Sequence, residues 1–281
     1  MTEPFSSSGQ GFVPLPDGGR IFYTIHGAKR SARPPLLLLR PLGGSIALWG
    51  AFRERLATEQ PVVSFDPRGA GRSSPAPTLT TTRQMAADAV AVLDYLHIDA
   101  AHVFGLSLGG MAASFVAIDA SRRVRRLVLG STARRGLEIS KSGMERALSM
   151  AQCMLRPTSA DVEVCLLRRV LSAAFRREHP GEVRRLEAVV REEPASRAGI
   201  LKLAAAAALH DARAGLRRVR LPTLILWGER DALLGRDSQA ELRRSLPDAE
   251  FQVVPRAGHD LSLEQPAEAA ERISAFLRRS Y

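Results

Sequence analysis

The 281-residue sequence predicts an α/β protein: a mostly parallel sheet with helices on both faces and one inserted block of helices. Three observations predict it. Short apolar runs alternate with helical stretches across residues 36–131 and again across 222–279. Between residues 134 and 216 the alternation stops and only helical spacing remains. Finally, Gly105-Leu106-Ser107-Leu108-Gly109 joins a strand-like run to a small-residue apolar stretch, the strand–turn–helix setting that gives G-x-S-x-G its meaning. The expected division is a core of residues 1–133 and 217–281 beneath a helical cap of residues 134–216.

Taken in order, residues 11–15 and 21–26 flank the turn Asp17-Gly18-Gly19 as a hairpin, and Pro14 assigns its first strand to a sheet edge. The continuous apolar run 36–39 reads as a strand buried on both faces. A loop, Arg40-Pro41-Leu42-Gly43-Gly44-Ser45, leads into a helix over 46–58 carrying Trp49, Phe52 and Leu56. A strand at 61–65, a turn-rich stretch at 66–73 and a helix over 82–96 precede the serine motif, and a strand at 124–131 follows it. In the insertion Met144, Met150, Met154 and Phe175 recur at helical spacing, as core or as pocket lining. A strand at 222–227, a helix near 238–246, a strand at 250–254 and a helix over 266–279 complete the chain.

Composition narrows the function classes. At 45% hydrophobic the chain can bury a large core. It has no run of 18 apolar residues, so no membrane span is expected, and residues 1–10 lack a leader pattern. The net charge of +11 is mostly arginine, scattered in pairs on probable helix ends, without zinc-finger spacing or aromatic RNA-binding strands. A basic surface, not nucleic-acid binding, is expected. Cys153 and Cys165 lie outside any C-x-x-C pair, so both are expected as reduced, buried thiols in a cytoplasmic setting.

A serine hydroxyl needs a positioned base, itself oriented by a carboxylate. Of six histidines, His259 alone lies in a loop directly after the last strand, at the sheet edge expected for Ser107. His97, His102, His179 and His210 fall on helix ends, at the far end of the serine's strand, or in the insertion, and His26 closes a hairpin strand. Asp231 follows the strand at 222–227 at a workable distance, whereas Glu229 is too close to the strand end and Asp260 too close to His259. Oxyanion donors are expected from the N–H groups of Leu108 and Leu42, with Gly43 second to Leu42, since Pro41 has none. Arg40, Gly43 and Trp49 are candidate substrate contacts. Arg40 has a second reading, as a buried side chain paired with a carboxylate.

Together these stretches resemble the α/β-hydrolase superfamily. The matching segments are Leu42-Gly43-Gly44-Ser45 with Trp49, Asp66-x-Arg68-Gly69-x-Gly71-Arg72-Ser73, Gly105 to Gly110, Gly228-Glu229-Arg230-Asp231, and Gly258-His259 before Glu264-Gln265-Pro266. Within it the chain is most similar to the small-cap group of 3-oxoadipate enol-lactonases and related esterases. One departure is the oxyanion loop, which there usually begins His-Gly and here begins Arg40-Pro41. The resemblance implies a Ser107–His259–Asp231 triad, a structural turn at 66–73, no metal or cofactor, and hydrolysis of a small ester or lactone. Carbon–carbon bond hydrolases, perhydrolases and thioesterases or cyclases share that triad, and a small-molecule receptor with little turnover is the reading from another class.

Overall fold

A computed structural model describes residues 9–27, 33–136, 145 and 148–279. Eight strands form one sheet: β1 (Gly9–Pro14), β2 (Arg20–His26), β3 (Leu36–Leu39), β4 (Val62–Phe65), β5 (Ala101–Leu106), β6 (Val124–Gly130), β7 (Thr223–Gly228) and β8 (Glu250–Val254), in the spatial order β1-β2-β4-β3-β5-β6-β7-β8. The hairpin strands β1 and β2 run antiparallel, and β2 also pairs antiparallel with β4; every other pairing is parallel. Pro14 lies on β1, an edge strand, where its missing N–H breaks no central ladder.

The leucine run of β3 shows why its sequence is continuously apolar. Successive side chains point to opposite faces. Leu37 and Leu39 join one core with Ala89, Val92 and Leu93 of α2 (Thr82–Tyr95) and Ala112 and Val116 of α3 (Leu108–Asp119). Leu36 and Leu38 join a second core on the opposite face with Phe52 and Leu56 of α1 (Gly50–Ala57). The helix expected over 46–58 is split at Gly50, whose φ of 36° separates a 3-10 turn (Ile46–Trp49) from α1.

Between β6 and β7 the described residues form helices and one isolated bridge, Arg135 to Asp211. The helices are α4 (Ser159–Val170), α5 (Ala173–Glu178), α6 (Pro180–Glu192), α7 (Arg197–Ala208) and α8 (Arg213–Leu216). Side-chain oxygens of Thr158, Ser172 and Ser196 cap α4, α5 and α7, each accepting from a first-turn N–H, and Pro180 opens α6 where no N–H is needed. A third apolar cluster, containing Val164, Leu167, Phe175 and Leu186, also takes in Leu48 and Leu263 and so seats these helices on the sheet's rim. Helix α9 (Arg236–Ser245) follows β7, and α10 (Leu261–Glu264) and α11 (Pro266–Leu277) follow β8.

The expectation of two free thiols is corrected. Cys153 and Cys165 form a disulfide, with Cα atoms 5.5 Å apart. The 3-10 turn Gln152–Leu155 folds back against α4, bringing together cysteines twelve residues apart, a proximity that spacing alone does not reveal.

Candidate active site

Strands β3, β5, β7 and β8 are parallel, so the loops after them share one edge of the sheet, where sheets of this kind bind ligands. Ser107 lies between the last residue of β5 and the first of α3, with φ 54° and ψ −117°. For a non-glycine residue that conformation costs of order 1–3 kcal/mol and needs support. Ser107 N–H donates to Gly130 O (2.9 Å), and Thr132 Oγ1 donates to Ser107 O (2.7 Å). The flanking glycines are required by space: a Cβ on Gly105 would lie 2.2 Å from Gly109 O, and one on Gly109 2.1 Å from Leu39 O.

Three side chains from three loops meet here. Ser107 Oγ is 2.8 Å from His259 Nε2, and His259 Nδ1 is 2.9 Å from Asp231 Oδ2. The other Asp231 oxygen accepts N–H bonds from Leu233 (2.8 Å) and Leu234 (2.9 Å), which fixes the carboxyl plane. A carboxylate accepting at Nδ1 keeps the proton on that nitrogen and leaves Nε2 free to accept from the hydroxyl. His259 is 2% exposed. Burial draws its pKa down, but the charge and hydrogen bond of Asp231, with Asp260 and Glu264 behind, outweigh that and leave it above the ordinary value. The arrangement is a hydroxyl with a base aimed at it and a carboxylate behind the base.

Ser107 and His259 open on a cavity of about 360 Å³. Every other lining side chain among the described residues is apolar, including those of Met111, Met150, Met154, Leu166 and Ile200. Leu42 and Leu108 border it too. Leu108 is the first residue of α3, whose first intrahelical bond runs from Met111 N–H to Ser107 O, so its own N–H has no acceptor within the helix.

Residues 34–266 match the family described as the alpha/beta hydrolase fold. The chain belongs to that family. It is similar to RutD of Caulobacter vibrioides, provisionally named a carbamate hydrolase, at 29% identity over 260 residues, covering 92% of this chain and 95% of that one. It is 25% identical to 3-oxoadipate enol-lactonase 2 of Acinetobacter baylyi, covering 88% and 90% of the two chains. Among solved structures, a hydrolase from Pseudomonas aeruginosa superposes with a TM-score of 0.83 at 26% identity, covering 96% of this chain and 99% of the other.

The other candidates occupy different places in this hydrolase. Arg40 is corrected as a substrate contact: it is 3% exposed, its guanidinium lies 4.6 Å over the Trp49 ring, and Nη2 reaches Gly43 O at 3.4 Å. Burial lowers its pKa, against the pull of Asp260, Asp66 and Glu163, so its charge is answered from inside the protein. Trp49 is corrected likewise. It is 1% exposed and packs on Phe52 and Phe104 at centroid distances of 5.6 and 5.9 Å, in the core beneath β3 and β5. Gly43 is half-buried with φ +87° and turns the loop, while Pro41 and Leu42 border the cavity. Met150 and Met154 line the cavity, Phe175 belongs to the insertion's own core, and Met144 lies outside the described residues.

Asp66 is buried and holds the turn at 66–73, accepting from Ile46 N–H (2.7 Å) and Arg72 N–H (2.9 Å); burial raises its pKa to about 6. Arg134 pairs with Glu241 on α9 (2.9 Å), and Glu229 is exposed and accepts from Arg256 N–H. Among the described residues, no group of three or more His, Cys, Asp and Glu could hold a metal ion, and no helix is long and apolar enough to cross a membrane.

Sequence reasoning missed two carboxylates. Glu163 of α4 is 1% exposed and accepts from Gly44 N–H (2.8 Å) and Ala195 N–H (3.0 Å), so an inserted helix grips the loop that carries Leu42. Burial pushes its pKa up, against those two bonds and Arg40. Its signal was an acid on an apolar helix face, Val162-Glu163-Val164. Glu264 accepts from the N–H (2.6 Å) and hydroxyl (2.7 Å) of Ser172, joining α10 to the cap of α5 behind His259.

Proposed function

We propose that this alpha/beta hydrolase cleaves a small-molecule carboxylic ester or lactone through an acyl-enzyme on Ser107. The observation that carries the reading is the unbroken hydrogen-bond chain Ser107–His259–Asp231 opening on an apolar cavity. His259 Nε2 takes the hydroxyl proton as Ser107 Oγ attacks the carbonyl, then gives it to the departing alcohol oxygen. Water, deprotonated by the same nitrogen, releases the acid and restores Ser107. Asp231 holds the imidazole tautomer throughout. The N–H groups of Leu42 and Leu108 serve as the oxyanion donors, each commonly worth about 3 kcal/mol. Residues 134–216 act as the cap over a core of 1–133 and 217–281. The buried Glu163 is a positioning residue that holds the oxyanion loop from the cap side.

A fluorophosphonate probe tests the reading directly. Wild type is labelled at Ser107 with loss of ester turnover, and Ser107→Ala is neither labelled nor active. Full activity in Ser107→Ala on every ester that wild type cleaves overturns it. A receptor with little turnover, by contrast, binds the same esters without releasing acid. For location we propose the cytoplasm. The Cys153–Cys165 bond argues the other way, since oxidising compartments are where disulfides persist. Alkylation of the enzyme in intact cells separates the two: labelled thiols support the cytoplasm, and a protected pair overturns it.

A further inference from the structure

A second, larger hollow of about 1190 Å³ adjoins the catalytic cavity, and Met150 and Leu233 line both. The two differ in chemistry. Among the described residues, the inner one has no charged wall apart from His259, whereas the outer groove is faced by six arginines and three carboxylates. Two of those carboxylates are already engaged, Asp161 with Arg191 (2.9 Å) and Glu187 with Arg168 (2.6 Å). That leaves Arg156, Arg169, Arg176 and Arg230, none with an ion-pair partner among the described residues, against Glu145 alone. Arg230 immediately precedes Asp231, and Arg169 lies three residues beyond the cavity-lining Leu166 on α4. A groove with surplus forked cations, opening onto an apolar cavity, suits a molecule with an uncharged apolar end and an anionic one.

We infer that the groove is a leaving-group site: the substrate is an ester or thioester whose acyl part is apolar and whose alcohol or thiol part bears a phosphate or carboxylate. The inference deepens the Ser107 acyl-transfer reading and rests on it. The acyl carbon–oxygen or carbon–sulfur bond breaks as the Ser107 ester forms, and the anionic alcohol or thiol departs through the groove with the proton from His259. A simple lactone, whose leaving group stays attached, does not use the groove.

The test compares hexanoate esters of three phenols bearing a carboxamide, a carboxylate or a phosphate, on wild type and on Arg169→Gln/Arg176→Gln/Arg230→Gln. The readout is the ratio of kcat/KM for each anionic ester to that for the carboxamide ester, which cancels intrinsic reactivity and general damage to the fold. The triple variant is expected to lower that ratio about tenfold, or ~1.4 kcal/mol. The arm that falls further identifies phosphate or carboxylate. A control removing three arginines elsewhere, Arg122, Arg217 and Arg218→Gln, leaves the ratio as in wild type. Equal ratios in wild type and the groove variant, or equal loss in the control, overturn the inference, the latter because it reports only the overall basic field. Calorimetric binding of the same esters to Ser107→Ala reads the groove without turnover. Preferential binding of the anionic esters there, with no ester cleaved by wild type, keeps the groove and removes the acyl-transfer reading.

Discussion

Glu163 is the sharpest test of how the inserted helices reach the chemistry. Its Oε1 lies 2.8 Å from Gly44 N and its Oε2 3.0 Å from Ala195 N, so both oxygens are committed. Glu163→Gln preserves shape but replaces one acceptor with an amide that faces a backbone N–H donor, removing one charge-assisted bond of about 1.5–3 kcal/mol. Gly44 is two residues from Leu42, and full loss of one oxyanion donor costs ~3 kcal/mol of transition-state stabilisation. A loosened loop forfeits part of that, so kcat for a neutral p-nitrophenyl ester is expected to fall about tenfold with KM nearly unchanged. The pH profile supplies a second reading. Asp231, Asp260 and Glu264 hold His259 above its ordinary pKa and Glu163 is not among those groups, so the acid limb of kcat should keep the same midpoint in Glu163→Gln. The variant also sheds a buried charge whose desolvation works against folding at neutral pH, so its Tm is expected to hold. An unchanged kcat with a Tm lowered by several degrees refutes the positioning role and leaves Glu163 as a brace between α4 and the 44–45 loop.

Three further outcomes are expected. Asp231→Asn removes the acceptor that fixes the His259 tautomer, and kcat falls about 10³–10⁴-fold with the fold intact by circular dichroism. Replacing Cys153 and Cys165 with serine opens a short loop whose closure is worth ~3 kcal/mol; calorimetry should show a lower Tm, which reductant reproduces in wild type and leaves unchanged in the variant. His210 is buried with Nδ1 2.9 Å from Thr82 Oγ1, and burial draws its pKa down to about 4. The folded protein keeps it neutral while the unfolded chain takes up a proton below about 6.5. Its contribution is therefore fully present above that pH and is lost as pH falls toward 4, by up to about 3 kcal/mol. Burial also draws down His102, to about 4, and His26, so His210→Gln should remove only part of the histidine-linked acid destabilisation seen in denaturant melts.

The parts of the site that sequence reasoning reached share one property: their position follows from chain order. A residue just past the carboxyl end of a parallel strand lies at the ligand edge of the sheet, so Ser107, Asp231 and His259 could be selected from the runs before them. The same logic separated Glu229, which is exposed, from Asp231. Arg40 and Trp49 also follow strand β3 closely, but their side chains turn inward onto one another, and nothing in the linear pattern distinguishes a loop residue facing the ligand from one facing the core. Glu163, Glu264 and the Cys153–Cys165 bond depend on how inserted helices dock against the rim, a long-range arrangement with no local signature beyond a polar residue among apolar neighbours.

The almost unbroken hydrocarbon lining around Ser107 also bears on what happens once the bond is cut. An uncharged ester is at home there, but the freed acid ionises at neutral pH and, among the described lining residues, meets no cationic side chain other than His259, so the cavity favours the reactant over its product. Inhibition by accumulated acid should accordingly be weak, so initial rates at saturating ester should change little when the product acid is added.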